Sequence, residues 1–138
     1  VDVSVDGDGD GDERSATFVQ SGRYAGMLSF QKLDVYRCAI NFVTLAVQIA
    51  APLPRGHAEL RDQLRRAALS VPLNIAEGAG RVSEADAARH FAIARCSAME
   101  CAAVLDVICA LGLLEEPRYC QAMEVLARVV AMLTKLCR

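Results

Sequence analysis

The sequence predicts an all-α fold, an antiparallel up-and-down four-helix bundle, and two observations lead to this prediction. First, apolar residues recur at alternating spacings of three and four over four long segments, as in amphipathic helices, and strand patterns are lacking. Second, hydrophobic residues make up 54% of the 138-residue chain, whereas aromatic residues make up 5% and tryptophan is absent. A core of Ala, Leu, Val and Ile favours closely packed helices, and the length suits one domain.

The first 28 residues are predicted to be a disordered acidic leader, and residues 29–138 the bundle. Residues 1–13 carry five Asp, one Glu and no Lys or Arg, which is too polar a composition for a core. The acidic run resembles an EF-hand loop, but the twelfth position counted from Asp6 is Thr17 where the loop needs Glu, so calcium is not predicted. Because Met27 stands just before the first periodic segment, we expect residues 1–26 to be a leader outside the folded unit that arises from a start site placed too early. An intact mass of the native protein that includes them would contradict this.

The first helix is predicted to start near Ser29, which can cap it, and to end at the prolines 52 and 54. Its predicted core stripe consists of Leu33, Tyr36, Ile40, Val43, Val47 and Ala50. The second helix has a corresponding stripe of Leu60, Leu64, Ala68, Val71 and Ile75.

The third helix is predicted to start at Ser83, which with Asp86 resembles a capping box, and to stop at Gly112. Its core stripe is Ala87, Phe91, Ala94, Ala98, Cys101, Leu105 and Ile108. Pro117 fits the first turn of a fourth helix. The stripe of that helix is Tyr119, Ala122, Leu126, Val129, Leu133 and Leu136.

The segment SVPLNIAEGAGRVS, residues 70–83, interrupts otherwise helix-friendly sequence. Pro72 is expected to kink the second helix without ending it, because it lacks an N–H and clashes with the preceding turn. Asn74 is placed to bond to backbone groups that this bend frees or across to another helix, and Glu77 shares its face. Gly78 and Gly80 are expected to adopt positive φ and let the chain leave the helix. A structural corner is therefore favoured over a phosphate loop, which would need a preceding strand or a following Lys-Ser/Thr.

Glu77 is expected to be buried and to need a partner, either Arg81 four residues on or an arginine of a neighbouring helix.

This segment carries the resemblance to a known family. The chain resembles the four-helix-bundle proteins encoded by intervening sequences of bacterial 23S rRNA genes, over about residues 28–136. The matching segments are FQKLDVYRCA (30–39), LPRG (53–56), LRDQLRRAALSVPLNIAEGAGRVS (60–83), RHFAIARCSAMEC (89–101) and ALGLLEE (110–116). The resemblance implies a ring-like homopentamer. It also implies kinship with accessory proteins of diversity-generating retroelements, which bind nucleic acid and a reverse transcriptase.

The part of the chain from Arg14 onward is mildly basic, and this charge permits binding of RNA or DNA. From Arg14 onward the chain has 15 Lys and Arg residues against 11 Asp and Glu, and 13 of the 15 are Arg, whose forked guanidinium suits phosphate. The candidate nucleic-acid-binding residues are Arg61, Arg65, Arg66, Arg81 and Arg89. A solvated face or salt links between subunits would also explain them. A protein-interaction scaffold without nucleic-acid binding is the alternative function.

The helices carry more apolar surface than one small bundle needs, which favours a homo-oligomer. A second apolar line runs along the third helix through Ile93, Val104, Val107 and Leu111, and another along the fourth through Cys120, Met123, Ala127 and Val130.

Neither an enzyme, a cofactor nor a metal site is predicted. His57 and His90 are 33 residues apart, and Ser70 has no base beside it in the sequence. The six cysteines form no CxxC pair and are expected to be small buried hydrophobes in a reducing compartment. Apolar runs fall short of the roughly 20 residues that span a bilayer, so a cytoplasmic protein without membrane contact is expected.

Overall fold

The computed structural model describes residues 27–138, which contain four α-helices joined by short connections. They are α1 (Asp34–Ala50), α2 (Ala58–Ala79), α3 (Glu84–Ala110) and α4 (Glu116–Leu136), with 3₁₀ turns at Ser29–Lys32 and Arg55–His57. Each helix packs against two neighbours, in the order α1–α2–α3–α4 and back to α1. The predicted four-helix, all-α fold is therefore confirmed, with no strand in residues 27–138. The predicted leader lies outside the described residues, apart from Met27 and Leu28.

The core consists of one cluster built from all four helices. The predicted stripes of α2, α3 and α4 all face it, except that Leu136 in the last turn of α4 is exposed. The largest fully buried side chains are Phe42, Leu64, Ile75, Leu105, Ile108, Leu126 and Leu133.

The prediction for α1 is wrong in its start and in its face. Ser29 does not cap this helix, because the helix begins at Asp34 and its N-cap residue is Leu33. The buried residues are Val35, Cys38, Ala39, Phe42, Ala46, Ile49 and Ala50, whereas Val47 of the predicted stripe is 44% exposed. The reason is that α1 is apolar on two adjoining faces, so the same spacing fits both, and only contact with α2 and α4 selects one.

The predicted ends of α3 are confirmed. The Ser83 hydroxyl accepts a hydrogen bond from the Asp86 backbone N–H at 3.3 Å. At the other end Gly112 has φ +74°, and its N–H donates to the Cys109 carbonyl while the Leu113 N–H donates to the Ile108 carbonyl. This paired arrangement is a Schellman motif, which satisfies carbonyls that a helix end leaves open.

The corner between α2 and α3 follows the predicted outline with a different use of its glycines. Helix α2 continues through Pro72 to Ala79, as expected. Gly78 and Gly80 do not adopt positive φ. Among the glycines of residues 27–138, only Gly112 has a positive φ. Instead Gly78 lies where α3 comes too close to α2 to leave room for a Cβ atom. A Cβ there would lie 2.8 Å from Phe91 Cε1 and 3.1 Å from the Ala87 carbonyl oxygen.

We expect Gly78→Ala to lower the free energy of unfolding by about 1–3 kcal/mol, because the added methyl group overpacks the contact with Phe91. Gly80→Ala is the matched control, since its Cβ would lie 3.6 Å from its nearest neighbours. The control should be neutral or stabilising. Urea denaturation of both variants measures the difference. An unchanged midpoint for Gly78→Ala would contradict the close approach.

Candidate functional site at the α2–α3 corner

A chain of polar side chains crosses the interface of α2 and α3 near the corner. Ser97 of α3 is buried, and its hydroxyl lies 2.8 Å from the Ser70 hydroxyl of α2. The Asn74 Nδ2 group donates to the Ser70 carbonyl at 2.9 Å and to the Ser70 hydroxyl at 3.0 Å. Asn74 therefore bonds to the Ser70 carbonyl within α2, not to the Ala68 carbonyl that Pro72 leaves open, and its Oδ1 faces His90 of α3.

His90 extends this chain, a role that the sequence did not indicate. Its Nδ1 lies 3.4 Å from Asn74 Oδ1, and its Nε2 lies 4.0 Å from Glu77 Oε1. Because Asn74 uses its amide N–H groups within α2, its oxygen is the acceptor that faces His90, which assigns the proton to Nδ1. A residue 16 positions away meets Asn74 only because the corner folds α3 back along α2, so sequence spacing contained no signal for the contact.

Glu77 pairs with Arg81, one of the two partners that the sequence allowed. The Arg81 Nη2 donates to Glu77 Oε1 at 2.6 Å. The expectation that Glu77 is buried is wrong, because its side chain is 53% exposed. An ion pair so exposed contributes little to stability. Its effect is to hold the Glu77 carboxylate near His90 at the edge of the corner.

The cluster contains a serine, a histidine and a carboxylate, yet its geometry does not activate a nucleophile. Asn74 lies between Ser70 and His90, and the Ser70 hydroxyl has Ser97 and Asn74 as its partners. A general base must lie within hydrogen-bond reach of the proton that it removes. The arrangement suits joining two helices and gives Ser70 no base.

Arg61 serves the fold at a different corner. Its Nη2 donates to the Leu53 carbonyl at 2.5 Å, and its Nε donates to the Ala50 carbonyl at 3.4 Å. These oxygens belong to the last residue of α1 and the connection after it, where a cation is favourable. The guanidinium thus ties the end of α1 to the first turn of α2.

The other predicted arginines fall into two groups. Arg65 and Arg66 are exposed in the first half of α2, whereas Arg81 and Arg89 are exposed around the α2–α3 corner. Along α2, fifteen residues between Arg66 and Arg81 correspond to about 20 Å, so the five arginines do not form one patch. Within the described residues, Arg65, Arg66 and Arg89 have no carboxylate within salt-bridge distance.

Four large apolar side chains of α2 and α3 are exposed on the outside of these helices. We call Leu69, Leu73, Ile93 and Val107 the α2–α3 outer face. All four are exposed, Leu73 to 58%. A hydrogen bond from Gln63 to Glu100 also crosses between the two helices. Of the second apolar line predicted on α3, Val104 is buried and the rest is exposed. On α4, Cys120 and Ala127 are exposed, and Met123 and Val130 pack partly against the core.

The cysteines differ more than the sequence predicted. Cys38 and Cys101 are buried, but Cys96 and Cys120 are exposed, so the expectation that all six are buried is wrong. Burial, with a smaller effect of Glu100, raises the pKa of the Cys101 thiol to about 12. Burial also raises the pKa of Cys38, although the charge of Arg128 opposes this. The described residues include no group of three His, Cys, Asp or Glu side chains that could hold a metal ion.

Two comparisons bear on the identity of the chain. A family model described as 23S rRNA-intervening sequence protein matches residues 31–135. A search of curated proteins finds no match. Among the helices of residues 27–138, none has both the length and the apolar character needed to cross a membrane.

We expect Asn74→Ala to lower the free energy of unfolding by about 1–2 kcal/mol, because it removes the hydrogen bonds that join Ser70 to His90. Asn41→Ala is the control. Asn41 is also partly buried in a helix, but its side chain has no hydrogen bond to another described residue. Both changes bring the same gain in helix propensity, so the difference between their urea midpoints isolates the polar chain. Equal midpoints would contradict its contribution.

We expect Cys96 and Cys120 to react with a thiol reagent at pH 8 in the native protein, and Cys38 and Cys101 only after unfolding. Exposure and thiolate content control the reaction. Because the pKa of Cys101 is higher in the fold than the ordinary value of 9.0, its contribution to stability should be lost as the pH rises from 9 toward 12. Mass spectrometry of labelled peptides identifies the modified residues, and early labelling of Cys101 would contradict the prediction.

Proposed function

The chain belongs to the 23S rRNA-intervening sequence protein family, and on this premise we propose that it is a homo-oligomeric, non-enzymatic accessory protein that binds RNA or DNA through exposed arginines. The observation that carries the proposal is that Arg65, Arg66 and Arg89 are exposed and lack carboxylate partners within the described residues. Each guanidinium is free to make a forked contact with phosphate. Arg65 and Arg66 form one group on the first half of α2, and Arg81 can add to the second group, at Arg89, if phosphate displaces Glu77.

Arg61 was a candidate nucleic-acid-binding residue in the sequence analysis, but in this proposal it does not contact nucleic acid. Its donors already serve the carbonyls of Ala50 and Leu53, so a bound phosphate would have to compete with them. We therefore assign it to the fold and assign phosphate contact to Arg65, Arg66 and Arg89.

Assembly would increase the weight of these arginines. The α2–α3 outer face presents four exposed apolar side chains, and exposed apolar side chains favour contact with another subunit. The resemblance noted above implies a homopentamer, which we adopt as the proposed assembly. Five copies of three arginines would multiply the phosphate contacts, and affinity grows with each contact. A reverse transcriptase or another protein is the partner implied for an accessory role.

Catalysis has no part in the proposal. The one place where a serine, a histidine and a carboxylate come together separates the serine from the histidine by Asn74.

A scaffold that binds another protein without nucleic acid is the second candidate. The exposed apolar side chains of the α2–α3 outer face favour it, since a folded partner could cover them. The two functions differ in their dependence on salt, because apolar burial is insensitive to the ionic strength that weakens phosphate contacts.

We expect the triple variant Arg65→Gln, Arg66→Gln, Arg89→Gln to bind a structured RNA at least tenfold more weakly than the unaltered chain at 100 mM salt. The slope of log affinity against log salt should also become shallower, by about 0.7–0.9 for each phosphate contact removed. Arg55→Gln with Arg118→Gln is the control, because both residues are exposed arginines at the opposite end of the bundle from Arg89. Binding of the unaltered chain that is undetectable at low salt would overturn the nucleic-acid proposal and favour the scaffold.

We expect light scattering of the unaltered chain to give the mass of a pentamer. Leu73→Glu with Ile93→Glu should reduce it, because two charges would then lie on the α2–α3 outer face. Val47→Glu, on an exposed position of α1, is the control and should leave the assembly intact. A monomer mass for the unaltered chain would refute the assembly.

A further inference from the structure

Arg81 and His90 lie on either side of one carboxylate oxygen at the α2–α3 corner. Oε1 of Glu77 accepts a hydrogen bond from Arg81 Nη2 at 2.6 Å, and His90 Nε2 lies 4.0 Å from the same oxygen. The side chain of His90 is only 14% exposed, whereas those of Glu77 and Arg81 are about half exposed. The imidazole is therefore held in place, while the carboxylate and the guanidinium have room to move.

The neutral imidazole cannot form a hydrogen bond with Glu77. Its Nδ1 carries the proton and faces Asn74 Oδ1, so Nε2 presents a lone pair to the carboxylate. Two acceptors do not bond to each other, and the separation of 4.0 Å agrees with this. As long as His90 is neutral, Glu77 pairs with Arg81 alone.

A proton taken up from water changes this arrangement. It can enter the imidazole only at Nε2, because Nδ1 is already protonated. A charge-assisted bond from Nε2 to Glu77 has a length of about 2.8 Å, so Oε1 has to move about 1 Å toward His90. Because Arg81 donates to the same oxygen, the movement weakens its ion pair. Histidine is the side chain whose charge changes between about pH 8 and pH 5.

Glu77 is the carboxylate within ion-pair distance of His90 in the described part of the chain. Helix α3 packs against α2 and α4. Its α4 side is marked by the hydrogen bond from Arg95 to Thr134, and Arg95 lies about 140° around the helix from His90. His90 therefore faces α2, whose charged groups here are Glu77 and, just beyond the helix end, Arg81. The other charged residues at this level are Asp86 and Arg89 of α3 itself and Lys135 and Arg138 at the end of α4.

We propose that His90 is a proton-dependent switch that controls phosphate binding at the α2–α3 corner. When the imidazole gains a proton, Glu77 pairs with His90, and the Arg81 guanidinium becomes available to a phosphate of the nucleic acid in addition to Arg89. This inference rests on the proposed function, because the ligand is the same, and adds its regulation. By reciprocity, bound nucleic acid favours the protonated form of His90.

The test measures binding of a fluorescent RNA hairpin of 20 nucleotides by the full chain at pH 8.0 and pH 5.5. The unaltered chain should bind about fivefold more tightly at pH 5.5, the low end of typical coupling between two ligands. Its salt slope should steepen by about 0.7–0.9 for the added phosphate contact. His90→Gln should bind with nearly the same affinity at both pH values, and a retained pH effect would overturn the inference.

His57→Gln is the matched control. His57 is the other histidine of the chain, is also partly buried, and precedes α2 at the end away from the corner. This variant should keep the full pH effect.

Two further variants test the route through Arg81. Arg81→Gln should lose most of the pH effect, and Glu77→Gln should bind at pH 8.0 about as tightly as the unaltered chain binds at pH 5.5. Both positions are about half exposed, so these variants decide the question if urea denaturation shows that His90→Gln is unfolded. A full pH effect in Arg81→Gln would overturn the release of Arg81.

An NMR titration of the free chain separates this inference from the proposed function. The Arg81 Nε–H signal should shift with the same midpoint as the His90 imidazole, and it should not shift in His90→Gln. An Arg81 signal that stays constant would overturn the switch, whether or not RNA binds. RNA binding of equal strength at both pH values would overturn the regulation and leave the proposed function intact. A shift of Arg81 without detectable RNA binding at low salt would support the switch and refute the proposed function.

Discussion

The close approach of α2 and α3 at Gly78 is the constraint on which the corner depends. The glycine leaves room for the Phe91 ring, so the two helices pack at a distance at which a side chain at position 78 would force the ring or the helix to shift. That distance brings Asn74 within reach of His90 and Ser70 within reach of Ser97. The apolar contact and the polar chain therefore support each other, because the hydrogen bonds require the approach that the glycine permits.

The sequence was sufficient to predict the fold and three of the four core faces. In α2, α3 and α4 the predicted stripes face the core, although α3 and α4 each carry a second apolar line as well. In α1 the apolar residues cover more than half of the circumference, and the prediction selected the outward face that includes Val47. Which face turns inward there depends on the neighbouring helices, and a pattern within one helix contains no information about them.

The corner shows a second limit of sequence reasoning. Proline, asparagine and glycine were correctly interpreted as a structural corner, but the reason for the glycine was wrong: Gly78 provides room for Phe91, and its φ is not positive. His90 was missed altogether, because its partners Asn74 and Glu77 lie on the preceding helix. The arginines were identified by residue type, but spacing could not separate those that bind the fold from those that face solvent.

The bonds made by Arg61 change how substitutions in related sequences should be interpreted. A guanidinium can direct two nitrogens at the Leu53 and Ala50 carbonyls in a fixed fork, whereas a lysine has a single nitrogen at the end of a flexible stem. Selection at this position therefore acts on the shape of the donor more than on its charge. An arginine that persists here through evolution would record how the first two helices are joined, even in relatives that have lost all affinity for nucleic acid.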